Sequence, residues 1–419
     1  MPATDPDSAI IANRSEYDAV IVGASLSGCA TAIMLGRTGA RVALVEKQPD
    51  AGAYKRMCSH YIQASAVPTI ERLGLLEPIL AAGGVRSAVH AWTRWGWIDP
   101  PAGEALSGVN LRREVLDPMM REAAASTPGV ELMLGLTADH LLRADGTVRG
   151  VAVRDRDSGE TELLASLTIA ADGRDSRVAE LSGVPTKTFP HGRIAYGGYF
   201  EGPAPRVAPD ASFWMLDPQW AAAFPTDSGL TFYAAMVTKD RLPDFKRDPE
   251  GALVSFVADV PEPPPILEGR LVEPVLGKID MLNKMRAPVA PGLAFVGDAA
   301  LATDPLFGVG CGWAMQSGEW LAESVAPALR GEEALDEGLS RYRRRHRRAL
   351  RGHAFLIHDY ATGRKMQPPE RALFAAAARD SKVAMGFMRF GTRSVGPARM
   401  FATVMPRAIA VNARHALAR

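Results

Sequence analysis

The hydrophobic pattern opens with a short apolar run, YDAVIV (17–22), followed by the tight segment GASLSG, the helical pattern CATAIMLGRTG and a second apolar run, RVALVE (41–46). Such runs, rich in β-branched residues, predict buried strands, so these thirty residues predict strand, turn, helix and strand in succession. Residues 62–76 (IQASAVPTIERLGLL) and 112–126 (RREVLDPMMREAAAS) predict helices, and VELMLG (130–135) predicts a strand after the second of them. Residues 147–172 predict a β-meander with a turn at Asp157 to Gly159. The aromatic stretch HAWTRWGWIDP (90–100) predicts a strand that either packs three tryptophans into the core or lines a pocket wall. From Gly183 to about Asn283, RIAYGGYF, ASFWML, WAAAFP and LTFYAAMV predict an antiparallel sheet, with PEPPP (261–265) as a turn within it. A long helix is expected over AMQSGEWLAESVAPAL (314–329). Beyond Gly363, methionines and phenylalanines predict helices with one oily face, interrupted at Gly391 and Pro397. These helices either pack against the body, cover a substrate cavity, or meet a membrane or a partner.

Composition sets the scale. A chain of 419 residues, 47% hydrophobic and 23% charged, supports a large core and two intertwined domains. No run approaches eighteen apolar residues, so no transmembrane segment is expected. Residues 1–16 are polar and acidic, which predicts a loose tail without a signal peptide and a cytoplasmic protein. Cys29, Cys58 and Cys311 show no metal-ligand spacing, which predicts no metal site and no disulfide framework. The net charge of +1 hides an asymmetry, with +15 from Arg341 onward and −14 before it. RYRRRHRRALRGH lacks the interleaved aromatics of nucleic-acid modules, so a basic helix packed on an acidic body is expected and no nucleic acid is implied.

Two stretches carry candidate chemistry. In GASLSG the turn would bring backbone N–H groups and a helix N-terminus against a pyrophosphate, with Gly23, Ser25, Leu26, Ser27 and Gly28 lining it. Glu46 ends the second strand, where a carboxylate accepts hydrogen bonds from ribose hydroxyls, and Lys47 follows it. The dinucleotide fingerprint wants glycine at position 25, where this chain has a serine small enough to admit a phosphate. The second stretch, DPLFGVGCGW (304–313), spends three glycines just before the long helix. Glycine in or beside a helix costs about 1 kcal/mol against alanine, so something must need a bare backbone there.

With these residues in view, the chain resembles FAD-dependent monooxygenases of the aromatic-hydroxylase-like superfamily, which have the p-hydroxybenzoate hydroxylase fold. IAADGRDSRV (169–178) resembles their Asp-Gly motif, with Asp172 and Gly173. GLAFVGDAA (292–300) resembles their second FAD motif, and LRREVLD (111–117) their Arg-x-x-Leu-Asp helix start. The resemblance spans residues 17 to 330 and implies that Asp298 meets the flavin ribityl hydroxyls and Arg113 the phosphates. It also assigns Ala138 to the cofactor surface, and Pro305, Gly308, Gly310, Cys311 and Gly312 to the segment beside the flavin ring. Arg56 reads as a cofactor contact or a surface arginine, and His60 as a general base toward substrate or a hydrogen-bonded structural histidine.

The fold class implied is α/β (α+β), a Rossmann-like FAD-binding domain interleaved with an antiparallel substrate sheet, then a C-terminal helical region. The boundaries expected are a tail over 1–16, FAD-binding parts over 17–183 and 287–335, a substrate sheet over 184–286 and basic helices over 336–419. The activity implied is insertion of one oxygen atom from O2 into a small aromatic or polyketide-like molecule, through a flavin C4a-hydroperoxide. FAD and NADPH or NADH are the cofactors implied. Two related activities stay open. Flavin-dependent halogenases carry a Trp-x-Trp-x-Ile-Pro strand, of which WAAAFP keeps one tryptophan and the proline. Geranylgeranyl-reductase-like relatives, which reduce double bonds, share Arg-x-Cys and Asp-Pro elements, here Arg56–Cys58 and Asp304–Pro305. A flavin-bearing binding protein without enzymatic activity is a further alternative.

Overall fold

A computed structural model describes residues 14–101, 103, 105–155 and 159–418. The expected tail lies mostly before these residues, and the expected meander turn falls mostly on 156–158, also outside them. Strand β1 (Arg14–Val22) leads through the GASLSG turn into α1 (Leu26–Gly36) and β2 (Val42–Glu46). β1 starts three residues ahead of its apolar run because its backbone pairs there with Glu162–Ala165. Helix α2 (Arg113–Ala125) then feeds β3 (Val130–Leu134), and β4 (Thr137–Ala144), β5 (Thr147–Arg154) and β6 (Glu160–Ala170) form an antiparallel meander.

The second sheet is built on β7 (Arg193–Glu201), β8 (Ala211–Met215), β9 (Trp220–Pro225) and β10 (Leu230–Thr238). β11 (Leu293–Phe295) returns the chain to the first sheet, where five parallel strands lie in the order β11-β6-β1-β2-β3. Helix α3 (Gly310–Leu329) packs on α1 so closely that a Cβ on Gly318 would stand 2.6 Å from the Thr31 hydroxyl. That contact explains why α1 is buried on nearly every side: it lies between the sheet and α3. The basic helix α4 (Leu335–Tyr360) follows, with Arg341 paired to Glu333 and Arg345 to Glu323 of α3. Four shorter helices complete the fold, α5 (Pro368–Ala377), α6 (Ser381–Gly391), α7 (Pro397–Thr403) and α8 (Met405–Leu417).

Two expectations change. Residues 62–76 are not one helix: Tyr61–Ile62 is a strand, Val67–Arg72 a helix, and a second helix starts at Leu76. Gly74, at φ +75°, turns the chain left-handed between the two helices, where its N–H bonds to Glu71 O at 2.9 Å. HAWTRWGWIDP is not one strand but a hairpin of Val89–Thr93 and Gly96–Ile98, reversed at Gly96 (φ +113°). It joins the second sheet beside β8, with Trp92 opposite Trp97, and all three tryptophans stay half-buried.

Candidate functional site

The first glycine turn is closed by its own backbone. Gly23 (φ +107°) leaves 2.6 Å between a would-be Cβ and Ala171 O, and Gly28 leaves 1.8 Å to Gly23 O. Only glycine at both places lets β1 turn into α1. Ser25 stands at the N-cap in extended conformation, yet its hydroxyl caps nothing, and the first turn of α1, with Leu26 and Ser27 buried, holds no acid. Glu46 reaches back across the end of β2 to accept from Ala24 N–H (2.9 Å) and Gln48 N–H (3.0 Å). Lys47 beside it is exposed, and Ala138 is buried in β4.

The second glycine stretch differs. Asp304 accepts from Leu306 N–H (2.7 Å) and lies 2.6 Å from His191, a fully buried pair that fixes the loop beneath an exposed Pro305. Gly308 takes φ +59° and the chain enters α3 without a side-chain cap. Gly310 is exposed and a Cβ there would meet no atom within 4 Å, whereas Cys311 is buried and a Cβ on Gly312 would stand 3.0 Å from that of Ala66. The helix thus starts with no side-chain cap and with open space beside Gly310. Asp172 caps toward Val178 N–H (3.0 Å) through one oxygen, while its other oxygen is buried without a partner and burial raises its pKa. Gly173 follows at φ +85°.

One network joins these pieces. The buried Arg113 guanidinium donates to Ser25 Oγ (2.8 Å) and to Asp117 (2.8 Å), and lies 4.0 and 3.9 Å from the sulfurs of Cys58 and Cys311. Those sulfurs are 3.6 Å apart. The hydrogen bond from the Cys311 thiol, reinforced by nearby positive charge, holds the Cys58 thiol well below its ordinary pKa, and Cys311 is pushed up. Asp117 also accepts from Lys55 N–H (3.0 Å), and Lys55 Nζ stands 3.9 Å from Asp298. Residues from four separate segments thus meet in one place.

His60, at φ +60°, accepts from Arg113 N–H through Nδ1 (2.8 Å) and meets the Tyr199 hydroxyl through Nε2. Burial pushes its pKa down to about 4, so the ring is neutral at pH 7 with both nitrogens engaged. Arg56 is exposed and borders a small cleft with Tyr54, Glu114 and Glu273, whose floor includes His60 and Tyr199. At the surface, Asp139, His140 and Glu160 come together, but Arg154 stands 3.4 Å from both carboxylates and balances them.

Between the second sheet and the C-terminal helices lies a cavity of about 190 Å³, bordered by Phe213, Trp220, Phe307, Phe374, Met388 and Met405 among others. It reaches Gly308, so it opens onto the loop that leads into α3. From HAWTRWGWIDP only Ala91 borders it, none of the tryptophans.

Several of these residues are not singled out by the sequence. Asp117 has a signal, four residues after Arg113 on a helix, and Lys55 stands next to Arg56, the basic residue that the resemblance favours. The approach of Cys58 to Cys311, across 253 positions, has none.

A family model described as an FAD binding domain matches residues 16–228. The chain is 28% identical over 349 residues to a digeranylgeranylglycerophospholipid reductase of Methanothrix thermoacetophila, covering 80% of this chain and 83% of that one. Its fold is similar to p-nitrophenol 4-monooxygenase PnpA from Pseudomonas putida DLL-E4, with TM-score 0.72 and 21% identity over 92% of this chain and 99% of that one. It is also similar to the flavin-dependent brominase Bmp2, with TM-score 0.75 and 17% identity over 97% and 100%.

Proposed function

From a chain that belongs to the FAD binding domain family, and so to the FAD-dependent oxidoreductases, we propose a monooxygenase acting on an apolar organic molecule held in the cavity beside α3. The observation that carries this is the shared border: Phe307 and Gly308 belong both to the cavity wall and to the loop entering the uncapped α3. The residues fit FAD. A bare Gly310 with open space before it, an uncapped α1 and a buried Asp172 oxygen without a partner are what a cofactor would complete. When bound, FAD would supply electron transfer from NADPH or NADH and activation of O2.

The chain does the rest. N–H groups from Ser25 to Gly28 would hold the pyrophosphate and Glu46 the ribose hydroxyls. Asp298, beside Lys55, accepts from the ribityl chain, while Arg113, held by Asp117, presents its charge next to Ser25. The N–H groups of Gly310 to Gly312, at the uncapped start of α3, would stabilise negative charge on the bound flavin. His60 positions the start of α2 through Arg113 N–H and does not serve as a base. The apolar walls of the cavity exclude water from the reacting atoms.

A second reading, reduction of a carbon–carbon double bond, is favoured by the likeness to a digeranylgeranylglycerophospholipid reductase over 80% of the chain. One experiment separates the two. The flavin-loaded protein is given NADPH and a panel of aromatic and alkene compounds under ¹⁸O₂ and under nitrogen. Product carrying one ¹⁸O supports oxygenation; product gaining two hydrogens under nitrogen supports reduction. NADPH oxidation that no compound stimulates counts against both.

A further inference from the structure

The large cavity is apolar except around one guanidinium. The other polar side chains on its border are satisfied or neutral. Gln63 donates to Phe307 O (2.6 Å) and Gly391 O (3.1 Å), and Glu370 is held by Arg364 at 2.7 Å. Thr392 is engaged with Arg389 O and Ser394. His353 is pushed down to about 3 by burial first and by the neighbouring Arg393 charge second, so it is uncharged at pH 7.

Arg393 stands apart. It takes a left-handed φ of +64° just past the end of α6, and its side chain turns back over Phe307 and Phe390, 5.3 and 5.6 Å from their ring centres. One nitrogen donates to Phe390 O (2.9 Å), while Nε is buried without an acceptor. No carboxylate of the described residues pairs with it, and burial lowers its pKa to about 9, which leaves it charged at pH 7. The residue is half-buried, and a charge against an apolar wall is stabilised by a counter-charge and filled hydrogen bonds. Its fork of donors matches a carboxylate or a phosphate.

We propose that Arg393 anchors the acid group of an amphiphilic substrate, an organic carboxylate or phosphate monoester whose apolar body fills the space bordered by Trp220, Phe374 and Met388. This rests on the reading of the cavity as the substrate site and names the class of molecule it takes. A neutral lipid or a cation of the same body would leave the guanidinium unpaired and is selected against.

The test is calorimetry on the flavin-loaded protein with decanoate, decyl phosphate, 1-decanol and decyltrimethylammonium. Decanoate or decyl phosphate binds at least about tenfold tighter than 1-decanol, the scale of a charge-assisted hydrogen bond, and the tighter of the two identifies the head group. Arg393→Met removes the preference and leaves 1-decanol binding within about twofold, while Arg393→Lys keeps part of it. Equal binding of acid and alcohol to the wild type overturns the proposal, as does tight binding of the cation or a preference that survives in Arg393→Met. Should Arg393→Met fail to fold, Arg393→Gln and the wild-type head-group series decide the matter in the same way. Flavin absorbance and NADPH oxidation are read on the same preparations. Acid preference in a chain that holds no flavin overturns the functional reading and leaves Arg393 only as an acid-binding site; full flavin without acid preference overturns this inference and leaves the functional reading.

Discussion

Two helices, α1 and α3, begin behind glycines, and the reasons are opposite. At α1 the glycines are demanded by the protein itself: a Cβ on Gly28 would stand 1.8 Å from Gly23 O. At α3 the fold explains Gly308, by its φ of +59°, and Gly312, whose Cβ would stand 3.0 Å from Ala66, but it demands nothing of Gly310, where a Cβ meets no atom within 4 Å. A residue kept bare where its own fold has room points to a second molecule. Gly28 reports on folding, and Gly310, which is neither crowded nor at positive φ, reports on what the chain binds.

Substitution separates them. Gly28→Ala should cost about 4–5 kcal/mol, because the Gly23 backbone cannot retreat, and expression with chemical denaturation would register it as loss of the folded state. A well-folded Gly28→Ala protein would break the contrast at once. Gly310→Val should leave the stability of the cofactor-free chain within about 0.5 kcal/mol, as glycine and valine differ little in helix propensity. Substrate-stimulated NADPH oxidation should nevertheless fall about a hundredfold, the cost of misplacing reacting groups by an ångström. Equal losses in both measurements would make Gly310 as structural as Gly28.

Asp298→Asn tests the neighbouring strand end. It keeps the side chain's shape and should weaken FAD retention by about 1.5–3 kcal/mol, the worth of a hydrogen bond to a charged group, with the melting curve of the cofactor-free chain unmoved. Equilibrium dialysis with FAD measures it. The smallest effect concerns the thiols of the two helices. Cys29 in α1 is fully buried and burial pushes its pKa up, whereas Cys58, bonded to Cys311 of α3, is held well below the ordinary thiol range. Because the Cys58 thiol is held below the ordinary thiol range, its alkylation by iodoacetamide should rise less steeply between pH 7 and 9 than that of a free thiol and should outpace Cys29 by about a hundredfold. Peptide mass mapping reads both rates; a Cys58 rate climbing with pH like that of a free thiol would cancel the distinction.

What the chain discloses on its own follows from range. The parallel sheet and the long α3 were legible because their apolar runs and turn residues are local, and the glycine turns because sterics act within a few positions. The Asp172, Asp298 and Arg113 segments were legible through resemblance, although which atoms meet there was not. The helix expected over 62–76 failed because Gly74 reads as a tolerated glycine until its left-handed φ is known. The hairpin at 89–98 failed for a related reason: Gly96 reverses the chain inside one aromatic run. Arg393 was invisible as one of many basic residues near it, distinguished only by the company of Phe307, nearly ninety positions away.

Gln63 has a consequence for traffic. Its one amide nitrogen ties the carbonyl of Phe307, ahead of α3, to the carbonyl of Gly391, at the end of α6. Parting these segments strands buried polar groups, at about 1–3 kcal/mol for each bond lost. Thermal openings of the cavity rim along that seam are therefore about ten- to a hundredfold rarer per bond than they would be without the amide.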